Sequence, residues 1–257
     1  MSTVLDSIVS GVLEDLQARE IPLNQLREQL ATAPAVRNAY DALAKPGMQM
    51  IAEVKRSSPS KGALATIGDP ADLAKSYESA GAAVISVLTE GRRFGGSSAD
   101  LVAVRSAVSI PVLRKDFIVT EYQVMETRAL GGDLMLLIVA ALDDSQLRDY
   151  QALAHELGLN VLVEIHDELE LDRALAMNAK IIGVNARNLK TLEIHEDAFA
   201  RLLPLIPSDR IRVAESGIST RQQVVAAESA GAKAILVGET LVRASDPSLA
   251  ITNLLGR

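Results

Sequence analysis

Downstream of Pro46-Gly47 the chain falls into a rhythm that few folds accommodate. Eight short runs rich in Val, Ile and Leu alternate with longer stretches whose apolar residues recur at helical spacing. The runs are Met50–Arg56, Val84–Glu90, Pro111–Phe117, Leu134–Ala140, Asn160–His166, Lys180–Arg187, Arg210–Ser216 and Ala234–Glu239. They are near-continuously apolar rather than alternating, as strands covered on both faces are. Stretches such as Asp69–Ala80, Asp144–Leu157 and Arg221–Ala230 read as the intervening helices. Strands alternating with amphipathic helices build parallel βαβ units. Eight units favour closure into a barrel over an open sheet, and 257 residues match the size typical of a (β/α)8 barrel.

A faint repeat agrees. Ala80-Gly81-Ala82-Ala83-Val84-Ile85-Ser86-Val87 resembles Ala230-Gly231-Ala232-Lys233-Ala234-Ile235-Leu236-Val237, with Leu130-Gly131-Gly132-Asp133-Leu134 as a weaker copy. Each puts Gly just past a helix, where a left-handed cap is needed, and then a buried strand. Ahead of the barrel, Leu5, Ile8, Val12 and Leu16 mark a first helix. Pro22 breaks it, and Leu23 to Ala44 is again helical with an interruption near Pro34. The fold class expected is α/β, a single (β/α)8 TIM barrel over residues 1–257 with residues 1–48 as an N-terminal helical extension.

The chain carries 26 Lys+Arg against 33 Asp+Glu, a net charge of −7. With no basic run, that argues against nucleic acid as a partner. There is no Cys, which excludes disulfides and thiolate metal sites. The N-terminus reads as an amphipathic helix and not a signal peptide. The longest apolar run, Leu134 to Leu142, is too short to span a bilayer. A cytoplasmic protein without membrane contact is expected. The three histidines, His155, His166 and His195, lie far apart, so no metal site is expected. Ser58-Pro59-Ser60-Lys61-Gly62 lacks the P-loop pattern, and Val237-Gly238-Glu239 is no dinucleotide fingerprint.

Barrel enzymes place their chemistry at the C-terminal ends of the strands, and here those ends are rich in polar residues. Residues two apart on a strand share a face, which pairs Glu53 with Lys55, Lys115 with Phe117, Glu164 with His166, and Asn185 with Arg187. Charges on apolar strands are costly unless paired or functional. One pair alone reads as a structural ion pair at the mouth; all of them on one rim read as a site. Ser216-Gly217 and Gly238, with a short helix starting near Glu239, offer backbone N–H groups to a phosphate. A phosphorylated small molecule is therefore the expected ligand.

Four stretches resemble indole-3-glycerol phosphate synthases, and the resemblance covers the whole chain. They are Ile51-Ala52-Glu53-Val54-Lys55-Arg56-Ser57-Ser58-Pro59-Ser60-Lys61-Gly62, Leu113-Arg114-Lys115-Asp116-Phe117-Ile118, Gly183-Val184-Asn185-Ala186-Arg187-Asn188-Leu189 and Val213-Ala214-Glu215-Ser216-Gly217-Ile218. The N-terminal extension matches too, and in the family it caps part of the mouth. The resemblance implies ring closure, decarboxylation and dehydration of 1-(2-carboxyphenylamino)-1-deoxyribulose 5-phosphate, without a cofactor. It implies Lys115 as general acid for the keto oxygen and Glu164 as acid/base of the dehydration. Lys55 would orient the substrate, with a share of the acid role open to it. Glu53, Asn185 and Glu215 would hold the lysines and hydroxyls. Ser216, Gly217, Gly238 and Glu239 would bind the phosphate, mostly through backbone N–H groups, with Ser58 and Arg187 nearby. Phe94, Phe117 and Leu136 would wall the aromatic ring.

Three features depart from the family. Ala186 stands where many relatives carry Asn or Ser, the loop Gly91-Arg92-Arg93-Phe94-Gly95-Gly96-Ser97 is unusually rich in Arg and Gly, and Glu239 stands where some relatives have Ser, so only its backbone N–H is expected to face a phosphate. The competing readings are another phosphosugar barrel enzyme, an isomerase or a Schiff-base aldolase using Lys115 or Lys55 as nucleophile, and a non-catalytic phosphate-ligand binder. A monomer or weak homo-oligomer is expected.

Overall fold

In the computed structural model, which describes residues 3–257, eight parallel strands close into a barrel. They are β1 Gln49–Val54, β2 Val84–Leu88, β3 Val112–Lys115, β4 Leu134–Ile138, β5 Asn160–Ile165, β6 Ile181–Asn185, β7 Ile211–Glu215 and β8 Ala234–Val237. Closure is direct: Ile51 of β1 lies opposite Val84 of β2 on one side and Leu236 of β8 on the other. Each strand stops one or two residues short of its apolar run in the sequence. At the rim the parallel ladder ends, and after β4, where the chain is still apolar, Val139–Ala141 turns into a 3-10 helix.

Helices surround the sheet. Those that follow a barrel strand include α4 Pro70–Ser79, α5 Ser98–Ala107, α6 Glu121–Ala129, α7 Asp144–Glu156, α8 Glu168–Ala176, α9 Ala198–Leu202 and α10 Arg221–Ser229. The sequence carries their start signals. Asp69 caps α4 ahead of Pro70, and Asp143 with Gln146 and Thr220 with Gln223 form capping boxes on α7 and α10. After α4 and α10 the chain turns back to the sheet through Gly81 and Gly231 at φ 97° and 106°, the left-handed turn that the repeat predicts. After β8 come α11 Glu239–Val242 and α12 Pro247–Leu255.

The extension before the barrel forms α1 Val4–Arg19, α2 Leu23–Thr32 and α3 Ala39–Ala44, broken around Pro22 and Pro34 as expected. The apolar stripe of α1 is buried at Leu5, Ile8, Val12 and Leu16. The start of α3 donates its Ala39 and Tyr40 N–H groups to Oδ1 of Asn160, the first residue of β5, at 2.7 and 3.1 Å. That fixes α3 to the end of the barrel where the strands begin. The core is aliphatic, built of Val, Ile, Leu, Ala and Met. No helix among the described residues is long and apolar enough to cross a membrane.

Candidate active site

The strands' C-terminal ends open into a cavity of about 560 Å³, and all fifteen residues proposed from the sequence line it. Glu53, Lys55, Lys115, Glu164, Asn185 and Glu215 reach it from β1, β3, β5, β6 and β7 or the residue just beyond. Phe94, Phe117 and Leu136 form an apolar wall, the two rings 6.2 Å apart and tilted by 39°. Lys55 Nζ lies 5.6 Å from the Phe94 ring centre, a cation–π placement. It is also 3.3 Å from Glu53 Oε2.

Lys115 is the hub. Its ammonium donates to Glu164 Oε2 at 2.8 Å and lies 3.5 Å from Glu215 Oε2. Burial works against its charge, but Glu164, Glu215 and Glu53 hold it well above the ordinary lysine value. Burial likewise opposes the Glu164 carboxylate, yet the Lys115 ammonium, with His166 behind it, keeps it far below the usual carboxylate range. Glu215 goes the other way. Burial and the charge on Glu164 push it up to about 8 against the pull of Lys115. The site therefore holds an ammonium, an ionised carboxylate and a protonated carboxyl within hydrogen-bonding reach of one another near neutrality, a set able to give and take protons.

Two glycines make room for these carboxylates. A Cβ at Gly183 would stand 1.9 Å from Glu215 Oε1, and one at Gly238 would stand 2.3 Å from Glu53 Oε2. Opposite the apolar wall, Ser216 and Gly217 hold φ of 70° and 75° in succession. A serine in the left-handed region is strained, and such strain clusters at functional sites. Next to it, Gly238 precedes α11, and the Glu239 carboxylate lies 3.5 Å from Arg243 Nε, paired within its own helix.

The loops over the mouth are tied together. Ser58 lies in a short hairpin formed by Ser57–Ser58 and Gly62–Ala63, its hydroxyl buried and without a hydrogen-bonding partner among the described residues. Ser57 Oγ donates to Arg93 O at 2.8 Å, joining this hairpin to the loop after β2. Asn185 Oδ1 accepts from the Arg187 N–H at 2.9 Å, and Arg187 Nη1 donates to Leu192 O at 2.9 Å, so this pair shapes the loop after β6.

Several contributors escape sequence reasoning. Glu90 accepts N–H bonds from Arg92, Arg93 and Phe94 at 3.1, 2.8 and 3.0 Å and so presents Phe94 to the cavity. Its position after β2 was visible, but nothing local marks a carboxylate that folds back on its own loop. Arg243 and Ile8 line the cavity from α11's C-terminal end and from α1. The i,i+4 spacing of Glu239 and Arg243 was the available signal for the first. His166, which strand parity had already paired with Glu164, lies behind it, with Nε2 3.5 Å from Glu164 Oε1 and Nδ1 2.9 Å from Glu170 Oε2.

Comparison with known proteins places this geometry. The indole-3-glycerol phosphate synthase family model matches residues 5–254. The chain is 58% identical over 256 residues to an indole-3-glycerol phosphate synthase of Nocardioides sp. (strain ATCC BAA-499 / JS614), covering 99% of this chain and 98% of that one. It is 56% identical to one of Mycolicibacterium smegmatis, covering 99% and 94%. Among solved structures it is similar to the 3-hexulose-6-phosphate synthase of Salmonella typhimurium, with a TM-score of 0.66 at 16% identity, covering 81% of this chain and 97% of that one. At that identity the likeness concerns the barrel alone. Matched over nearly its whole length by sequence, the chain belongs to the indole-3-glycerol phosphate synthase family.

Proposed function

We propose that the chain acts as one domain that converts 1-(2-carboxyphenylamino)-1-deoxyribulose 5-phosphate to indole-3-glycerol phosphate, a carboxy-lyase of tryptophan biosynthesis. The observation that carries the reading is the Lys115 ammonium held by Glu164 and Glu215 in a cavity walled by Phe94, Phe117 and Leu136. The aromatic carbon bearing the carboxylate attacks the keto carbon, and Lys115 protonates the oxygen as charge develops on it. Carbon dioxide leaves, and the cationic ring-closed intermediate takes up the electron pair. Glu164 then serves as acid and base while water is lost. Lys55, beside Glu53 and over the Phe94 ring, orients the substrate and shares the acid role. Glu53, Asn185 and Glu215 hold the lysines and hydroxyls in place.

The phosphate is assigned to the backbone N–H groups of Ser216, Gly217, Gly238 and Glu239, with Ser58 and Arg187 nearby and Arg243 adding positive charge at that end. The Glu239 carboxylate, paired with Arg243, is kept from opposing an anion. A lysine held charged by surrounding carboxylates is a proton donor and a poor Schiff-base nucleophile, which favours this reading over an aldolase. A cytoplasmic enzyme, monomeric or weakly self-associating and without nucleic acid, completes the proposal.

Indole fluorescence on mixing purified protein with the substrate tests it, and the lack of Trp in the chain keeps that signal clean. Absence of product refutes it. Lys115→Ala is expected to abolish turnover while weakening substrate binding far less, because its bond strengthens only in the transition state. Equal losses in both refute the acid role.

A further inference from the structure

The reaction consumes a proton. With the substrate carboxylate ionised, carbon dioxide departs without a proton. The keto oxygen leaves as water carrying two protons, while the carbon skeleton gives up only one. One proton per turnover must therefore come from the protein and be replaced from solvent. Lys115 delivers the first proton to the oxygen at ring closure. The second is needed later, when hydroxide leaves, with the substrate still in the mouth.

The structure places a second proton carrier behind Glu164. His166 follows β5 and is partly exposed, but its Nε2 is buried, and it stands away from the cavity lining. Its Nδ1 lies 2.9 Å from Glu170 Oε2, and the same oxygen accepts the His166 backbone N–H at 2.8 Å. Its Nε2 faces Glu164 Oε1 at 3.5 Å, and neither of these two buried atoms makes a hydrogen bond among the described residues. Were the imidazole neutral with Nδ1–H toward Glu170, its Nε2 lone pair would face a carboxylate oxygen. A proton between the two atoms removes that conflict. The charged groups facing the ring are Glu164 from β5 and Glu170 from α8. Lys115 of β3 and Glu215 of β7 act on it through Glu164.

We propose that His166 is a proton-storing positioning residue that holds on Nε2 the proton Glu164 passes on when hydroxide leaves. This rests on the acid–base reading of Glu164 above. In the step, the Nε2–H bond breaks and an Oε1–H bond forms on Glu164. Imidazolium becomes the neutral Nδ1–H tautomer fixed by Glu170, and Glu164 delivers the proton to the departing hydroxide. The Glu164 carboxylate then takes the proton that the carbon skeleton gives up and returns it to Nε2, and solvent reprotonates the Lys115 amine once product has left the mouth. Burial disfavours the charged ring, but the two carboxylates raise its pKa to about 10, so the store is full at neutral pH.

The test follows carbon dioxide release and indole fluorescence in parallel, in single turnovers of the full chain. In His166→Asn, carbon dioxide release is expected to stay within about twofold of the parent while indole appears at least about tenfold more slowly, the ring-closed hydroxyl intermediate accumulating between them. Glu170→Gln keeps the acceptor for the ring but removes its charge. It should move the alkaline limb of the indole step about one pH unit lower, and it serves should His166→Asn fail to fold. Slowing of both signals together, or of neither, overturns the store. Parent protein that releases neither carbon dioxide nor indole overturns the proposed function itself, and the store with it.

Discussion

Gly183 and Glu215, on adjacent strands β6 and β7, share a space that only one of them can fill. A Cβ at 183 would stand 1.9 Å from Glu215 Oε1 and 3.2 Å from Leu162 Cδ1. Glycine inside a strand is unfavourable by itself, and a strand glycine often marks close approach of another group. Here that group is a carboxyl 3.5 Å from the Lys115 ammonium. In Gly183→Ala the methyl displaces the carboxyl. The expected outcome is a kcat loss of at least about tenfold with the barrel intact. Steady-state indole formation and a thermal melt check it, and an unchanged kcat shows that the position of Glu215 is immaterial.

The acid–base cluster gives stability a distinctive pH dependence. The folded chain keeps the Glu215 proton up to about pH 8, whereas a free glutamate releases it near 4.5. The folded chain keeps the His166 proton to about pH 10, against 6.5 for a free histidine. Both folded values are raised, so both contributions are complete at acid pH and fade as pH climbs through these windows. Glu164, lowered, works the opposite way, and its contribution is lost progressively as pH falls below the 4.5 of a free glutamate. The melting temperature is therefore expected to fall from about pH 5 towards pH 10. His166→Asn should flatten the upper part of that decline. A melting temperature that rises across this range contradicts the arrangement.

The barrel was legible because eight apolar runs with helical spacers admit few other closures, and the positions of the site followed from strand parity. Glu53 and Lys55, or Asn185 and Arg187, could be placed on one face without coordinates. The partners across the barrel were not legible. Nothing in the order of the sequence says that Lys115 meets Glu164 and Glu215, because strands that are not neighbours in the sheet meet only through the closed interior. His166 shows another limit. Its parity with Glu164 was readable, but its turn away from the cavity towards Glu170 depends on where β5 stops and α8 begins. The phosphate end was readable as Gly and Ser after strands; the left-handed Ser216 was not, since serine seldom adopts that backbone.

Arg114, next to Lys115 on β3, points the other way and is fully buried. Its guanidinium lies 3.1 Å from Asp116 Oδ2 and 2.8 Å from Glu126 Oε2, and it donates to Thr89 Oγ1 and Thr127 Oγ1 at 3.1 and 3.2 Å. Glu126 also pairs with Arg19 of α1. Arg114→Met leaves both carboxylates without this cation, a break that costs roughly 3–5 kcal/mol. For a chain of this size that lowers the melting temperature by on the order of 10 °C. The folded fraction should retain kcat within about threefold, since the guanidinium touches no substrate. A thermal melt and the kcat of the folded fraction test this together, and a shift of only a degree or two refutes the energetic role.

Arg92 sits in the loop after β2 and clamps α1 from outside. Its Nε lies 2.9 Å from one Asp15 oxygen, its Nη2 2.7 Å from the other, and its Nη1 2.7 Å from Glu14 Oε2. Next to it, Arg93 Nη2 donates to Ser7 Oγ at 2.8 Å. The clamp joins the helix that offers Ile8 to the cavity to the loop that offers Phe94. Arg92 is solvent-exposed, and exposed ion pairs contribute little to global stability and are screened by salt. The effect should therefore appear in substrate binding. Arg92→Ala is expected to raise KM several-fold, leaving kcat and the melting temperature nearly unchanged. Added salt weakens phosphate binding in both proteins, but it should raise the parent's KM more steeply, because it loosens the clamp as well. KM measured against ionic strength decides the matter: parallel slopes for the two proteins mean that the clamp does not shape the mouth.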